Sequence, residues 1–289
     1  MVHRSSVKHP FVISWTWLVA KNSAKLIYFL TMMTIPFAFF WQDRLKASGL
    51  HFGISLLIAL LAALLVFVLW YPYPYREISG GRELFLIVVT VDVILGPLIT
   101  LAIFNRSKSW RVLGFDLAVV GLIQLSALAY GLWTVFVARP VHLVFEYDRF
   151  SVVHAIDVPL DQLGKAPVSV NALPLFGPTL LSLRPFQNSN EQMEATLSAL
   201  NGAALNARPD LWQPYSLATS HICRAAKPVS VLKKRFASQS AAIDAAIAKT
   251  GRSSDALAYL PMVGRKTFWT VLIDPVTADV LAFMPLDSF

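Results

Sequence analysis

The chain has 289 residues, of which 56% are hydrophobic and 15% are charged. Soluble domains carry about 25% charged residues, so this composition excludes an ordinary soluble protein. Most of the net charge of +8 lies in the apolar first half, where basic residues flank hydrophobic runs. That distribution is typical of a membrane protein. It argues against a nucleic-acid partner, which would require a basic patch on the soluble part.

The first 42 residues contain a short hydrophobic segment, residues 26–41, which is interrupted by Pro36. Proline removes a backbone donor from the middle of a helix, and the segment is shorter than the roughly 20 residues that a span needs. As a span it would also leave four basic residues outside the cytoplasm, against the positive-inside rule: Arg4, Lys8, Lys21 and Lys25. We therefore expect a cytoplasmic or interfacial extension over residues 1–42. A fourth short hydrophobic helix and a translation start at Met32 or Met33 are the alternatives.

Three longer apolar runs follow, at residues 52–70, 84–104 and 115–137. At about 1.5 Å per residue, each run approaches the roughly 30 Å hydrocarbon core of a bilayer, so we predict a three-helix transmembrane bundle over residues 43–139. The turn between the second and third runs is basic and holds Arg106, Lys108 and Arg111. Loops rich in lysine and arginine stay in the cytoplasm, which places everything after the third run outside it.

The second run carries an aspartate, Asp92, near its centre. A charged side chain costs about 2.5 to 3.5 kcal/mol at the middle of a bilayer, so Asp92 should face other helices. Gly96 and Thr100 recur at helical spacing on the same stripe, and Pro97 loosens the backbone beside them. Small residues on one stripe favour close packing of helices in lipid.

In the antiparallel third helix, Gln124 and Tyr130 lie near the level of Asp92, so either could donate a hydrogen bond to it. Two interpretations stay open, because Asp92 either locks the helix bundle or contacts a transmembrane segment of a partner protein. Proton relay is a less favoured version of the second, since three spans with one acid make a poor transporter. The candidate packing or contact residues are Asp92, Gly96, Pro97, Thr100, Gln124 and Tyr130.

From residue 140 the pattern changes to that of a small α+β domain, which we expect over residues 140–289. Residues 141–156 are rich in β-branched and aromatic side chains and predict a hairpin or two short strands. A second hairpin is predicted to close the chain over residues 267–284. Two stretches between these elements contain prolines and are predicted to be irregular, namely residues 157–189 and 206–229.

Two helices are predicted in the same domain. The first covers residues 190–205 and is amphipathic, with an apolar stripe formed by Met193, Leu197, Leu200 and Ala204. The second covers residues 240–250 and is ended by Gly251. A domain of this size can bury its own core.

The chain shows little that points to catalysis. The histidines form no HExxH motif, Cys223 stands alone, and neither a P-loop nor a GxGxxG motif is present. Residues 230–233 match SxxK and residues 249–251 match KTG, two motifs of penicillin-binding enzymes. The interval is too short for the helical domain that those enzymes place between the motifs, so the match is a coincidence. We predict no catalytic, cofactor-binding or metal-binding residues.

Six segments carry a family resemblance. They are RLKASG (44–49), LWYP (69–72), GGRELFLIVVTVDVILGPLITL (80–101), FDLAVVGLIQLSALAYGL (115–132), RPVHLVFEYDRFSVV (139–153) and LAYLPMVGRKTFWTVLIDPVTADVLAFMPLD (257–287). Together they resemble the TfpX/TfpZ-type type IV pilin accessory proteins, and VDVILGPL and YLPMVGR are the most specific parts. The resemblance covers residues 44–289. One departure is Ala278-Asp279, where the family pattern predicts a Gly-Glu type turn.

The resemblance implies a multi-pass protein of the bacterial inner membrane with its C-terminal domain in the periplasm. It implies a non-catalytic accessory that supports the stability, delivery or assembly of a type IV major pilin. The expected partners are therefore that pilin and membrane lipid. It carries over no catalytic residue and no cofactor, and it does not fix an oligomeric state. A small membrane transporter and a membrane-anchored structural module without a pilin role are the alternatives.

Overall fold

The computed structural model describes residues 41–289. The predictions for the N-terminal extension, for its short hydrophobic segment up to residue 40 and for a start at Met32 or Met33 lie outside the described residues. Three long helices come first and a mixed-sheet domain follows. This is the predicted order of a helix bundle and an α+β domain.

The three long helices are α1 (Trp41–Trp70), α2 (Gly81–Ile103) and α3 (Trp110–Val137), and each is long and apolar enough to cross a membrane. They contain the predicted runs, except that α2 ends one residue before the second run does. α1 extends well before the predicted run of residues 52–70, because the helix continues back to Trp41 through positions such as Asp43 and Lys46. These charged residues interrupt the hydropathy but not the helix. At about 1.5 Å per residue α1 is roughly 45 Å long, well beyond the roughly 30 Å hydrocarbon core.

The middle of α2 has irregular hydrogen bonding. Residues Val91–Leu95 form a π-helical segment that includes Asp92, and Pro97 follows shortly after. Proline has no amide hydrogen to donate back along the helix, which favours such an irregularity. Single-turn π segments inside α-helices are frequent at functional sites. A second π segment, Leu65–Trp70, ends α1.

Glycines allow α2 and α3 to approach closely. A Cβ atom at Gly131 of α3 would lie 2.6 Å from both methyl carbons of Val88 in α2. A Cβ atom at Gly96 of α2 would overlap the side-chain amide of Gln124 in α3. A larger residue at Gly131 would therefore push the two helices apart, whereas one at Gly96 would displace the flexible Gln124 side chain.

The second part of the molecule, called the sheet domain below, is built on a mixed sheet of eight strands with the order β4-β3-β1-β2-β6-β7-β8, and β5 pairs with β6 beside this path. The strands are β1 (Pro140–Glu146), β2 (Arg149–His154), β3 (Thr179–Leu183), β4 (Trp212–Pro214), β5 (Lys227–Pro228), β6 (Ala258–Val263), β7 (Phe268–Ile273) and β8 (Val280–Met284). β1 pairs in parallel with β3 and β2 with β6, whereas the other pairs are antiparallel. The helices are α4 (Ser189–Leu200), α5 (Thr219–Ala225), α6 (Val229–Arg235) and α7 (Ser240–Thr250).

Both faces of this sheet are covered. Successive side chains of a strand point to opposite faces, so Phe145 of β1 joins one buried cluster with Ile222 of α5, whereas Val144 joins another with Trp212. Helices α6 and α7 cover β6, β7 and β8 in a third cluster. Strands buried on both faces are apolar at consecutive positions, which accounts for the sequence PVHLVFE of β1.

Both predicted hairpins are confirmed, as the pairs β1–β2 and β7–β8. The second turns at Asp274, whose Oδ1 accepts hydrogen bonds from the amides of Val276 at 2.7 Å and Thr277 at 3.1 Å. Ala278 completes this turn with a φ of 63°. That is the left-handed conformation that glycine adopts most readily, and it is the position where the family pattern predicts a glycine.

The helix predicted over residues 240–250 is confirmed as α7, and Gly251 ends it with a φ of 67°. The prediction that residues 157–189 and 206–229 are irregular is wrong, because they contain β3, β4 and α5. Each of these elements is short. β3 and β4 are stabilised by pairing with each other and with β1, which is distant in sequence, rather than by a periodicity of their own.

Helix α4 differs from its prediction in length and in orientation. It ends at Leu200, earlier than predicted, because Gly202 turns the chain with a φ of 93°. Ala195 is buried, whereas Met193, Leu197 and Leu200 are 65%, 54% and 79% exposed. Met193, Leu197 and Leu200 therefore share one helix face as predicted, but that face points away from the core, and Ala204 lies beyond the end of the helix.

The connection between α1 and α2 packs into the sheet domain. Tyr75 and Ile78 belong to its buried core. The Ile78 carbonyl accepts a hydrogen bond from the Lys266 amide at 3.0 Å, and Lys266 Nζ lies 2.9 Å from a carboxylate oxygen of Glu83 at the start of α2. The helix bundle and the sheet domain are thus joined by packing as well as by the chain.

Candidate functional site

The Asp92 side chain is buried in the middle of the helix bundle. It is 8% exposed, and neither carboxylate oxygen has a hydrogen-bond partner among residues 41–289. Leaving a buried polar group without a partner costs about 1 to 3 kcal/mol, and more when the group is charged. Native proteins contain few such groups, so each one calls for a structural or functional explanation.

Asp92 borders two openings in the bundle. The first is a cavity of about 170 Å³ between all three helices, and its polar lining consists of Asp92, His51 and Ser55 of α1, and Gln124 of α3. The second is a cavity of about 310 Å³ between α2 and α3, which Tyr130 also lines. The remaining lining is mostly apolar. An apolar cavity near 150 Å³ can hold a benzene-sized group, so either opening could admit a side chain.

The structure brings Gln124 to Asp92 but not to its carboxylate. Gln124 Nε2 donates to the main-chain oxygen of Asp92 at 3.1 Å. In a π segment the donor to this carbonyl would be the amide of residue 97, and Pro97 has none, so the Gln124 amide replaces it. Tyr130 is 74% exposed, and no hydrogen bond joins it to Asp92. The predicted hydrogen bond from either residue to the carboxylate is therefore absent from the described structure.

Gly96, Pro97 and Thr100 are all buried, and the last two join α2 to α1 by hydrogen bonds. Ser48 Oγ donates to the Pro97 carbonyl at 2.8 Å. His51 Nδ1 lies 2.6 Å from Thr100 Oγ1, a hydrogen bond whose direction depends on the histidine tautomer. Gly96 leaves the space that the α3 amide occupies. Packing of the three helices at this level is thus satisfied without the Asp92 carboxylate.

Sequence reasoning missed Ser48 and His51, which lie before the first predicted span. Together with Ser55 they recur at i, i+3 and i+7, so they share one face of a helix. The signal was present in the sequence, but it can be interpreted only if α1 begins well before residue 52.

The sheet domain contains a buried histidine, His142 of β1. Its Nδ1 lies 2.7 Å from Thr179 Oγ1 and its Nε2 lies 3.0 Å from the Ala172 carbonyl, while the ring packs against Trp212 at 4.6 Å between centroids. Burial lowers the pKa of this imidazole from 6.5 to about 4. Both nitrogens are engaged, so His142 serves the packing of the domain. Within residues 41–289, no cluster of three or more His, Cys, Asp or Glu side chains could hold a metal ion.

Comparison with known proteins adds independent information. The family model described as "Fimbrial assembly protein FimB" matches residues 39–80. The chain is 36% identical over 246 residues to "Fimbrial assembly protein, serogroup I" of Dichelobacter nodosus, a match that covers 84% of this chain and 95% of the relative. It is 34% identical over the same shares to "Fimbrial assembly protein, serogroup E1" of that organism. No solved structure matches significantly.

A bundle of three helices of membrane-spanning length that carries a mixed-sheet domain indicates a membrane-associated protein. The similarity to the two relatives extends across nearly their whole length and most of this chain. The chain belongs to the family of fimbrial assembly proteins.

Proposed function

We propose that this chain is a TfpX/TfpZ-type accessory of type IV pilus biogenesis, which supports the stability, delivery or assembly of the major pilin without catalysing a reaction. Membership of the fimbrial assembly family supports a role in making pili. The resemblance of VDVILGPL and YLPMVGR to the pilin accessory proteins supports the more specific role. The proposed partners are the major pilin and membrane lipid.

The proposed location is the bacterial inner membrane, with α1, α2 and α3 as spans. Large apolar side chains face outward along them; Leu57, Leu61 and Leu122, for example, are 59%, 60% and 68% exposed. A surface of this kind suits lipid and not water. The proposed division is an extension over residues 1–42, the spans within 43–139 and a periplasmic domain over 140–289.

Charge supports this orientation. The turn between α2 and α3 lies at the end of the bundle away from the sheet domain and carries an excess of basic residues. Arg106 pairs with Asp43 at 2.9 Å, and Lys108 pairs with Asp116 at 2.6 Å. Arg111 adds a further positive charge. Because basic loops stay in the cytoplasm, the sheet domain is proposed to lie in the periplasm.

The buried Asp92 carboxylate without a partner is the observation that carries the proposal. If Asp92 only locked the bundle, its oxygens should be bonded within the bundle. Instead the side-chain amide of Gln124, which lines the same opening, donates to the main-chain carbonyl of Asp92. Gly96, Pro97 and Thr100 already pack or hydrogen-bond the helices together at this level. We infer that the carboxylate receives a hydrogen-bond donor from the transmembrane helix of the pilin. Tyr130, exposed at the adjoining opening, would contact the same helix.

A pilin presents a hydrophobic helix in the membrane and a globular head outside it, so an accessory that holds a whole pilin needs a second contact. We propose that the sheet domain supplies this contact to the head. The outward stripe of α4, formed by Met193, Leu197 and Leu200, is the surface on which we test it.

Deletion of the gene tests the proposed function. Surface pilin and total membrane pilin are compared in the deletion strain and after restoration of the gene. Loss of surface pili with pilin retained in the membrane, reversed by restoration, is the expected result for an assembly accessory. A fall in total pilin would instead identify stability as the step served. Unchanged piliation would contradict the accessory role in that host and favour the membrane-anchored structural module.

A further inference from the structure

Two large apolar side chains are exposed where the helix bundle meets the sheet domain. Leu175 and Phe176 lie in the loop that leads into β3, and they are 56% and 64% exposed. Single exposed apolar residues are common and need no explanation. The position of these two is informative, because the loop is fastened on both sides to the ends of long helices.

The first attachment is to the end of α1. The Gly177 amide donates to the Leu69 carbonyl at 2.7 Å. Carbonyls in the last turn of a helix have no partner within the helix, so the loop satisfies one of them. This hydrogen bond sets Phe176, the residue before Gly177, at the level of the last turn of α1.

The second attachment is to the end of α3, through Arg139. Its Nη2 and Nε donate to the Pro174 carbonyl at 3.1 and 3.3 Å, and its Nη1 donates to the Phe136 carbonyl at 2.9 Å. The guanidinium also lies over the Phe136 ring, 3.8 Å from the centroid. A cation at the C-terminal end of a helix is favourable. Arg139 therefore sets Leu175 at the level of the last turn of α3.

Aromatic residues identify this level as the edge of the hydrocarbon. Trp70 at the end of α1 and Trp133 in the last turns of α3 both pack on Phe136, with centroids 5.0 and 6.0 Å apart. Tryptophan concentrates at the interface between lipid and water. The basic side chains of Arg82 and Lys266 are 61% and 46% exposed at the same end of the bundle, where lipid headgroups would lie.

We propose that residues 174–177 form a lipid wedge, which inserts the side chains of Leu175 and Phe176 into the membrane leaflet next to the sheet domain. The inference rests on the membrane placement of α1, α2 and α3 given above. The wedge is continuous with the outward surfaces of α1 and α3, and these are apolar, so the acyl chains that cover the helices also reach the wedge. Contact with lipid here fixes the sheet domain close to the bilayer and limits its tilt.

Quenching by brominated lipid tests the wedge. The full chain with Cys223→Ser, which removes its single cysteine, receives Phe176→Cys and an environment-sensitive fluorophore, and is placed in nanodiscs whose phospholipids carry bromine on their acyl chains. Two control positions are labelled in the same way. Leu64→Cys lies on the exposed face of α1, and Val276→Cys lies 80% exposed in the turn between β7 and β8.

The label at position 176 should be quenched to within about twofold of the label at position 64, because an apolar side chain at the interface enters the acyl region, and the label at position 276 should not be quenched. If position 64 is quenched and position 176 is not, the wedge is refuted, whether water or another protein covers the loop. If position 64 is not quenched either, the membrane placement fails and the wedge with it.

Discussion

The close approach of α2 and α3 predicts the response to a glycine-to-alanine substitution. Alanine is more stable than glycine in a helix interior by about 1 kcal/mol. At Gly131, however, the new methyl would lie 2.6 Å from both Cγ atoms of Val88 and 3.2 Å from its Cβ. Overpacking of this kind costs about 1 to 3 kcal/mol. Gly131→Ala should therefore lower the free energy of unfolding by up to about 2 kcal/mol once the helix-propensity gain is subtracted.

A matched control lies in the same helix. A Cβ atom at Gly114 would meet nothing within 4 Å, so Gly114→Ala should be neutral or stabilising. Val88→Ala removes both offending methyls and leaves only the 3.2 Å contact, which a small shift relieves. Adding Val88→Ala to Gly131→Ala should therefore recover part of the loss, with a favourable coupling energy of about 0.5 to 3 kcal/mol.

The assay is equilibrium unfolding of the purified full chain in detergent micelles, followed by tryptophan fluorescence. The reasoning is refuted if Gly131→Ala and Gly114→Ala have equal free energies of unfolding. It is also refuted if the effects of Gly131→Ala and Val88→Ala are simply additive, because two residues in steric conflict must couple.

Two further predictions concern the sheet domain. The pKa of His142 is about 4 in the folded chain against 6.5 as its ordinary value, so the unfolded chain takes up the proton first and stability is lost as pH falls from 6.5 to about 4. The loss of unfolding free energy should approach about 3 kcal/mol. His142→Gln should make the unfolding free energy depend less steeply on pH over this range. An unchanged pH dependence would show that other groups cause it. On the exposed stripe of α4, Leu197→Glu should change the free energy of unfolding by no more than about 0.5 kcal/mol and still reduce the pilin that co-purifies. Gln192→Glu, an exposed position beside the stripe, should retain pilin, and equal retention by both variants would exclude the stripe as the contact.

The elements that the sequence predicts well are those with a periodicity or turn chemistry of their own. α2, α3, α7 and both hairpins have such local signals, and Gly251 terminates α7 where expected. β3 and β4 have none, because they are held by strands distant in sequence. The start of α1 was missed since Asp43 and Lys46 break the hydropathy of a helix that continues through them.

Spacing also predicts which residues share a face better than it predicts what covers that face. Met193, Leu197 and Leu200 do lie on one side of α4, but the side that packs against the core is the one that carries Ala195. The burial of Asp92 could be predicted from the cost of a charge in lipid. The hydrogen bond from the Gln124 side chain to the main-chain carbonyl of Asp92 could not be predicted, because it depends on a π segment that hydropathy does not reveal.

The account depends most directly on the Asp92 carboxylate, and the decisive measurement is pilin co-purification from membranes that contain Asp92→Leu, Asp92→Asn or Asp116→Asn. Asp116 is the matched carboxylate, since it lies in α3 but is paired with Lys108 at the end of the bundle. Both Asp92 variants should reach normal abundance and co-purify with less pilin. The loss should be larger for Asp92→Leu, because asparagine keeps one side-chain oxygen that can accept a hydrogen bond and leucine has none. Asp116→Asn should retain pilin. Full retention of pilin and normal surface piliation with Asp92→Leu would contradict the proposed contact.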